Sequence, residues 1–345
     1  MEINIQELVK ALGFVKLGLA NKEGVYEHTT SFMFMRDRVI TYNNSDISVS
    51  APVENMDLEG AVKAEELYKF LLRLKGEVIE IEQQEGEIVL SSNKSRAGLR
   101  LVDIGEYMKD SIPVISKNTK WEKLPENFVS DLSFVMNSCS SDMLREILTA
   151  VHIRKDGKLE ASDGYCISMV DMNTSFVQNV MLPAAIAAEV IKIKPIFLSV
   201  VDSWIHFKTD QDVILSGRLI EGNYVNTAPF FEISGKKFIF PNTMLEVLER
   251  AVVFSKRDSF LNELVTITLS DKYMTIASKS DTGWFEEMVE VSYEDKPLTF
   301  AIPPYILQNI LGRTKEAIIG EKTIHFVEKD WHYMALLRSL NDVDA

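Results

Sequence analysis

The 345-residue chain contains only two cysteines, Cys139 and Cys166. Two thiols make no disulfide framework and show no Cys/His spacing of the kind zinc needs, so both are expected to be idle. No apolar run approaches the roughly 18 residues that a membrane-spanning helix requires. The opening MEINIQELVK lacks the charged-then-apolar order of a secretory signal, and a cytoplasmic location is expected. Basic charge is scarce: 37 lysines and arginines against 51 acidic residues leave a net charge of −14. A surface of that sign repels nucleic acid as a whole, so such a partner would have to meet a local basic stripe. The phosphate loop G-x-x-x-x-G-K-[ST], the dinucleotide turn G-x-G-x-x-G and the nucleophile elbow G-x-S-x-G are all missing. The five histidines are scattered, with no H-E-x-x-H pair, and His206 and His325 fall in strand patterns as members of a sheet. The string ASDGYC lacks the alternating carboxylates of a calcium loop. No enzyme activity, metal or cofactor is expected.

What the chain does hold is a repeat. Three segments read strand, polar turn, strand, with turn aspartates Asp37, Asp156 and Asp271 spaced by 119 and 115 residues. Apolar residues follow each turn at matching offsets: Ile40 and Tyr42, Leu159 and Ala161, Met274 and Ile276. This is the alternation of a β-hairpin with one buried face. Helical periodicity precedes each hairpin, in IQELVKALGFVKLGLA, ENFVSDLSFVMNSC and NTMLEVLERAVVFSK. It recurs after each hairpin, in VKAEELYKFLLRLKGE, LPAAIAAEVIKIKP and IPPYILQNILGRTKE, and Pro183, Pro303 and Pro304 suit helix starts. Strand alternation follows each of these. Each third of the chain therefore reads helix, strands, helix, strands, and six related half-units are expected in three domains. The seams fall near Ser116–Lys120 and Glu232–Lys236, giving domains 1–118, 119–232 and 233–345. The expected class is α+β, each domain two helix-plus-antiparallel-sheet half-units.

The second helix of each third ends in the same charge pattern: Arg73 and Lys75, Lys192 and Lys194, Arg313 and Lys315, spaced by 119 and 121 residues. A cation at a helix C-terminus is favoured by the macrodipole at about 0.3–1 kcal/mol, which explains any one of them. Three in register point further, to a positive stripe joined by Lys69 and by Lys10, Lys16, Lys22, Arg145, Arg250 and Lys256 near the first helices. Such a stripe would contact phosphates without reading bases. Aromatics do not interleave with the basic positions, which disfavours a single-strand binder.

Several strings, in this order, resemble the bacterial DNA polymerase III beta subunit family, the sliding clamps. ASDGYCIS (Ala161–Ser168) is similar to that family's TDGHRLA. LIEGNYVNTAPFF (Leu219–Phe231) is similar to LVDGRFPDYRRVLP, and YMALLRSL (Tyr333–Leu340) to YVVMPMRL. LEGAVKAEELYKFLLRL looks like the family's second-helix region, so the resemblance covers essentially the whole chain.

The resemblance implies the DNA clamp fold and a six-domain ring: a head-to-tail homodimer around double-stranded DNA, with helix-borne cations facing the phosphates. It also implies a pocket between the middle and last thirds that takes short apolar peptides of a DNA polymerase and a clamp loader. By motif position that pocket comprises Ile147, Ser162, Gly164, Tyr165, Ile167, Val225, Pro229, Phe230, Thr323, Met334, Ala335, Leu336 and Leu337. Here Tyr165 and Cys166 stand where the family has His-Arg, Val225 where it has Pro, and Leu336, Leu337 and Arg338 where it has Met-Pro-Met. Those departures suit a divergent, phage-encoded or otherwise specialised clamp in a bacterial cell or infected host, with its own peptide preference. The alternative reading is a clamp-like scaffold or decoy that binds partner peptides without encircling DNA.

Overall fold

The computed structural model describes residues 1–22, 26–105, 111–113, 115–116, 118–257 and 263–338. Lys117 of the first expected seam, and Ser339, Leu340 and the five residues after them, lie outside the described residues.

Every segment with helical periodicity forms a helix. These are α1 (Ile5–Val15), α2 (Ala64–Leu71), α3 (Phe128–Met136), α4 (Ala184–Ile193), α5 (Met244–Val252) and α6 (Pro304–Ile310). In α1 the Asn4 side chain caps the start, accepting from the N–H groups of Gln6 and Glu7 at 2.9 and 3.1 Å. Its buried residues Ile5, Leu8, Ala11, Leu12 and Val15 recur at three and four positions, one stripe of a 3.6-residue helix. Met244, Val247, Leu248 and Ala251 repeat the spacing in α5, and Ile186, Ala187, Val190 and Ile193 in α4. Helix α4 stops at Lys194, which takes the left-handed conformation at φ 53°. Pro303 and Pro304 open α6, where a missing N–H costs nothing.

Contacts divide the chain into two compact units, Met1–Ser133 with Phe176–Gly222, and Phe134–Ser175 with Asn223–Ala345. The first unit holds a four-stranded sheet in the order Glu2–Asn4, Val78–Gln84, Glu87–Ser92, Ser95–Arg100. Its eight-stranded sheet runs Leu58–Lys63, Ser31–Arg36, Arg38–Tyr42, Ile47–Pro52, Ile214–Arg218, Trp204–Lys208, Phe197–Val201, Glu122–Lys123. The second unit carries seven strands in the order Ala150–Ile153, Lys158–Ser162, Cys166–Asp171, Trp331–Leu336, Thr323–Val327, Glu316–Ile319, Lys236–Ile239. It also holds a four-stranded sheet in the order Gly283–Glu290, Tyr273–Ser280, Val265–Ser270, Leu298–Ile302. The registered neighbours in all of these sheets are antiparallel.

One rule organises the sheets. Each half-unit contains a three-strand meander, and the last strand of one meander pairs with the last strand of another. Ile47–Pro52 pairs with Ile214–Arg218 through Leu215 opposite Val49. Cys166–Asp171 pairs with Trp331–Leu336 through Ile167 opposite Met334. The remaining two last strands, Ser95–Arg100 and Gly283–Glu290, end their sheets with one long side unpaired. Among the described residues neither unit contains a partner strand for them.

The sheets bury histidine. His206 is 1% exposed and its Nδ1 lies 2.7 Å from Ser216 Oγ. His325 Nδ1 and His332 Nε2 lie 3.0 Å apart, and both rings are buried. Burial pushes the imidazoles of His206 and His332 down to about 4, with the neighbouring His325 adding to the effect at His332, and it lowers His325 as well. A folded-state value below the unfolded value means that the unfolded chain takes up protons first. Stability is therefore full above about pH 6.5 and falls as pH drops towards 4. For His206 alone, denaturant titrations should show a loss of about 2 kcal/mol between pH 7 and pH 5. NMR titration of the imidazole C–H resonances checks the cause directly, because midpoints at the ordinary value near 6.5 would contradict it.

Candidate functional site

The turn in ASDGYC is built by its own side chains. Asp163 Oδ1 accepts from the N–H groups of Tyr165 (2.7 Å) and Cys166 (2.8 Å), and Oδ2 accepts from the Tyr305 hydroxyl (2.7 Å). Ser162 Oγ donates to the Cys166 carbonyl and accepts from the Gly164 N–H. Gly164 has φ +91°, a conformation that favours glycine, and a Cβ there would stand 2.8 Å from an η-nitrogen at the flexible end of Arg145. The Tyr165 carbonyl accepts from Leu336 N–H at 2.8 Å, which joins the turn to the end of the strand Trp331–Leu336.

The stretch Asn223–Phe231 has little regular structure, and only Thr227 is buried within it. Three anchors hold it. Thr227 donates to Glu160 Oε2 at 2.6 Å, Tyr224 stacks on His152 with ring centres 4.9 Å apart, and Phe231 lies 4.8 Å from the His332 ring. Glu160 is 2% exposed, and its Oε1 also bonds His152 Nδ1 at 2.8 Å. Burial alone would raise this carboxyl, but the bonds from His152 and Thr227 outweigh it and hold it below the usual carboxylate range. With the backbone secured at these points, Val225 and Phe230 stand exposed.

The residues expected to line a peptide pocket divide by burial. Ser162, Ile167, Met334 and Ala335 are buried within paired strands. Ile147, Tyr165, Thr323, Leu336 and Leu337 are half-buried, whereas Gly164, Val225, Pro229 and Phe230 are exposed. Met334 and Ala335 are consecutive in one strand and point to opposite faces of the sheet. The turn and the strand end meet through the Tyr165–Leu336 bond. The sequence reading passed over Met143 and Leu144, which are 76% and 96% exposed on the 3-10 segment Met143–Thr149, and over the Glu160 network. Two apolar residues between the polar Ser140-Ser141-Asp142 and Arg145 were a signal, but they fall just beyond a helical pattern.

The expected cationic stripe is also divided. Lys69 pairs with Glu65, Lys192 with Glu189 at 2.8 Å, Arg250 bidentately with Glu287 at 2.8 and 2.9 Å, and Lys256 with Glu263 at 3.5 Å. Lys16 lies 4.4 Å over the Tyr68 ring, Arg313 4.0 Å over Phe134, and Lys315 donates to Asn242. Lys10, Lys22, Arg73, Lys75 and Lys194 are exposed and make no ion pair among the described residues. Arg145 lies apart from the helix ends, against Gly164, with its Nε 3.2 Å from Asp142 Oδ2.

Burial pushes the Cys139 thiol up to about 12 and the Cys166 thiol higher, so neither is a thiolate near neutrality. Among the described residues no group of three metal-ligating side chains converges, and no helix is long and apolar enough to cross a membrane.

No family model matches the sequence, and no curated protein matches it either. Solved structures do. The DNA polymerase sliding clamp of Bacillus subtilis aligns with 98% of this chain and 98% of its own, at TM-score 0.82 and 18% identity. The beta subunit of Streptococcus pyogenes DNA polymerase covers 98% and 99% at TM-score 0.82 and 19% identity. A Pseudomonas aeruginosa clamp bound to griselimycin covers 99% and 99% at TM-score 0.83 and 15% identity. This chain has the sliding-clamp fold. The α+β class and the clamp fold implied by the sequence resemblance are thus the ones observed, over essentially the whole chain.

The anchor at Glu160 yields a measurable expectation. Thr227→Val keeps the shape but leaves a buried carboxylate short of a donor, at a cost of about 1–3 kcal/mol. Amide exchange across 223–231 should accelerate in that variant, and denaturant titration should show the loss. Unchanged exchange would mean that Tyr224 and Phe231 suffice to hold the segment.

Proposed function

We propose that this protein is a sliding clamp, a non-enzymatic processivity factor that encircles duplex DNA as a head-to-tail homodimer and tethers a polymerase and other replication proteins by short apolar peptides. The observation that carries this reading is the pair of unpaired last strands. The fold joins last strand to last strand twice within the chain. In this reading the third such junction forms between copies, Ser95–Arg100 of one against Gly283–Glu290 of the next. A chain with two different, mutually complementary edges associates head to tail, and closure of that contact removes both exposed edges.

The edge chemistry supports this junction. The exposed positions of Ser95–Arg100 include Arg96 and Arg100, while those of Gly283–Glu290 are Trp284, Glu286, Met288 and Glu290. Paired antiparallel, the arginines and glutamates share one face, where opposite charges attract across strands. Trp284 at 71% and Met288 at 62% exposure supply apolar surface that a partner would cover.

In this reading the chain has three clamp domains, 1–118, 119–232 and 233–345, and six line the ring of the dimer. The free cations Lys10, Lys22, Arg73, Lys75 and Lys194 contact phosphates without sequence preference, and the acidic remainder faces away. The peptide site lies in the second unit, around the 163–165 turn, Val225, Phe230 and Leu336–Leu337. A second reading, a scaffold or decoy that takes peptides without DNA, is favoured by the internal neutralisation of Lys69, Lys192, Arg250 and Lys256.

Retention on circular DNA separates the two. Loaded on a nicked circle with a competent clamp loader, the protein should stay through a sizing column at moderate salt and fall off once the circle is cut. Equal retention on both forms would indicate an ordinary electrostatic binder, and retention on neither would favour the scaffold.

The ring contact has its own test. Arg96→Glu with Arg100→Glu should weaken the dimer about tenfold or more, the effect of like charges facing across strands. Adding Glu286→Lys and Glu290→Lys should restore part of it. A sedimentation profile unmoved by either change would show that these edges do not meet.

A further inference from the structure

We propose that the first unit holds a ligand site of its own, a cavity on one face of its eight-stranded sheet, and that this site takes a small apolar carboxylate with Lys208 as the residue that selects the charge. The inference does not depend on the clamp reading. The cavity measures about 540 Å³, within the range of about 300–1,000 Å³ usual for small-molecule sites. Its floor follows from strand register. Thr41 points towards α1, where its hydroxyl donates to the Val15 carbonyl, so Ile40 and Tyr42 point to the other side of the sheet. Ile40, Ser50, Ile214 and Lys208 stand opposite one another in one row across that side, and Tyr42, Ser48, Ser216 and His206 in the next.

The space exists because the middle of those rows is small. Ser48, Ser50 and Ser216 occupy the junction of the two central strands, where a sheet face normally carries large side chains. The second unit shows the filled alternative. Ile167 and Met169 lie 119 residues after Ser48 and Ser50, the spacing of the first two hairpins, and stand opposite Met334 and His332. Phe231 packs on His332 there, whereas in the first unit the three serines leave a hollow. Its walls are apolar: Ile40 and Met35 on one side, Ile112 packed with Met33 and Tyr42 above them, and Trp121 at the far end.

The charges at the cavity are unequal. Arg38 is consumed: its Nη1 meets Asp212 Oδ2 at 2.6 Å, and its Nε and Nη2 donate to Ser50 Oγ at 3.0 and 2.9 Å. His206 is buried against Ser216 Oγ and uncharged near neutrality. Lys208 is different. Its ammonium lies 4.3 Å from the centre of the Trp121 ring and 5.3 Å from that of Phe197, and no carboxylate pairs with it among the described residues. Two aromatic faces hold the ammonium in place without neutralising it. The hollow thus presents apolar walls and one uncompensated positive charge. A ligand that matches both has an apolar body and a single carboxylate, whose bond to an ammonium is charge-assisted on both sides. In a chain of net charge −14, such a fixed cation also draws an anion that most of the surface repels.

The test uses the full-length protein and three probes of one apolar length, octanoate, octanamide and octylammonium, followed by calorimetry at low salt. Octanoate should bind about tenfold tighter than octanamide, the scale of one charge-assisted contact, and octylammonium more weakly still. Lys208→Gln should bring octanoate down to the affinity of octanamide and leave octanamide unmoved. Ser48→Ile places in the floor the residue found at position 167, so it should abolish binding of octanoate and octanamide alike while circular dichroism and the melting temperature stay those of a folded chain. Should that variant fail to fold, the Lys208→Gln comparison decides alone. Equal affinity for the carboxylate and the ammonium would overturn the charge selection. Octanoate binding that survives Ser48→Ile in a folded protein would place the amphiphile elsewhere and overturn the site, as would no octanoate binding by the unaltered chain. An apolar tetrapeptide with a free C-terminal carboxylate provides a last comparison. If it bound tenfold tighter than octanoate and lost that affinity in Lys208→Gln, the cavity would be a site for chain ends, and its assignment to a small molecule would fail.

Discussion

The structure depends on the pairing of last strands. A β-strand with one side unpaired exposes a row of N–H and C=O groups, and a fold tolerates that only where the edge is short, charged or meant to be covered. Within this chain the difficulty is met twice by joining two meanders through their final strands, Val49 opposite Leu215 and Ile167 opposite Met334. Each junction merges two half-units into one continuous sheet, and the short strands that follow the sequence seams, Glu122–Lys123 and Lys236–Ile239, lie at the far ends of those sheets. The same logic leaves Ser95–Arg100 and Gly283–Glu290 outstanding, and they bear opposite charges. The modular repeat and the proposed dimer are therefore consequences of one requirement.

That requirement also explains why the stretch Ser216–Phe231 has its mixed character. Its first residues finish a central strand, with Ser216 and Gly217 opposite Ser48 and Ile47, and the chain must then leave the sheet and enter another half-unit. No ladder holds Asn223–Phe231, so side chains do: Tyr224 on His152, Thr227 on Glu160, Phe231 on His332. A buried carboxylate is a costly anchor, and it is tolerable because His152 and Thr227 supply the donors it lost from water. The reward is a segment whose apolar side chains remain outside. Val225 and Phe230 are exposed because their neighbours are pinned, which is how a surface is readied for a ligand without collapsing onto its own core.

Much of this was legible in the sequence, for physical reasons that can be named. Periods of 3.6 and 2 mark the six helices and the hairpins at Asp37, Asp156 and Asp271, because burial of one face is a local property of spacing. Which strands become neighbours is not local. Nothing in the spacing of Ile47–Pro52 announces Ile214–Arg218 as its partner. The cations show the same limit. The Lys69–Glu65 and Lys192–Glu189 pairs are one helical turn apart and could have been read directly, but Arg250 meets Glu287 only after the strand Gly283–Glu290 folds beneath α5. Met143 and Leu144 escaped because a short 3-10 segment has no period long enough to detect. His206 and His325 lie in strands as their patterns indicate, but the contact of His325 with His332 at 3.0 Å depends on register.

The partial neutralisation of the cationic stripe bears on mechanism. An ordinary DNA-binding protein with a net charge of −14 and half its candidate contacts paired internally would bind poorly, since affinity in that case is the sum of phosphate contacts. A closed ring has no such need. It is held by topology, and each phosphate contact it makes adds a barrier that must be crossed at every step along the duplex. Exposed single ion pairs such as Lys69–Glu65 are screened by solvent, so their value to the fold is small. Their effect on the surface would be larger in the proposed ring, where each one takes a fixed charge out of the path of a sliding backbone and leaves Lys10, Lys22, Arg73, Lys75 and Lys194 to centre it. In the proposed ring, weak and widely spaced contacts are the condition for movement, and the acidic excess keeps the remainder of the surface from competing for the same DNA.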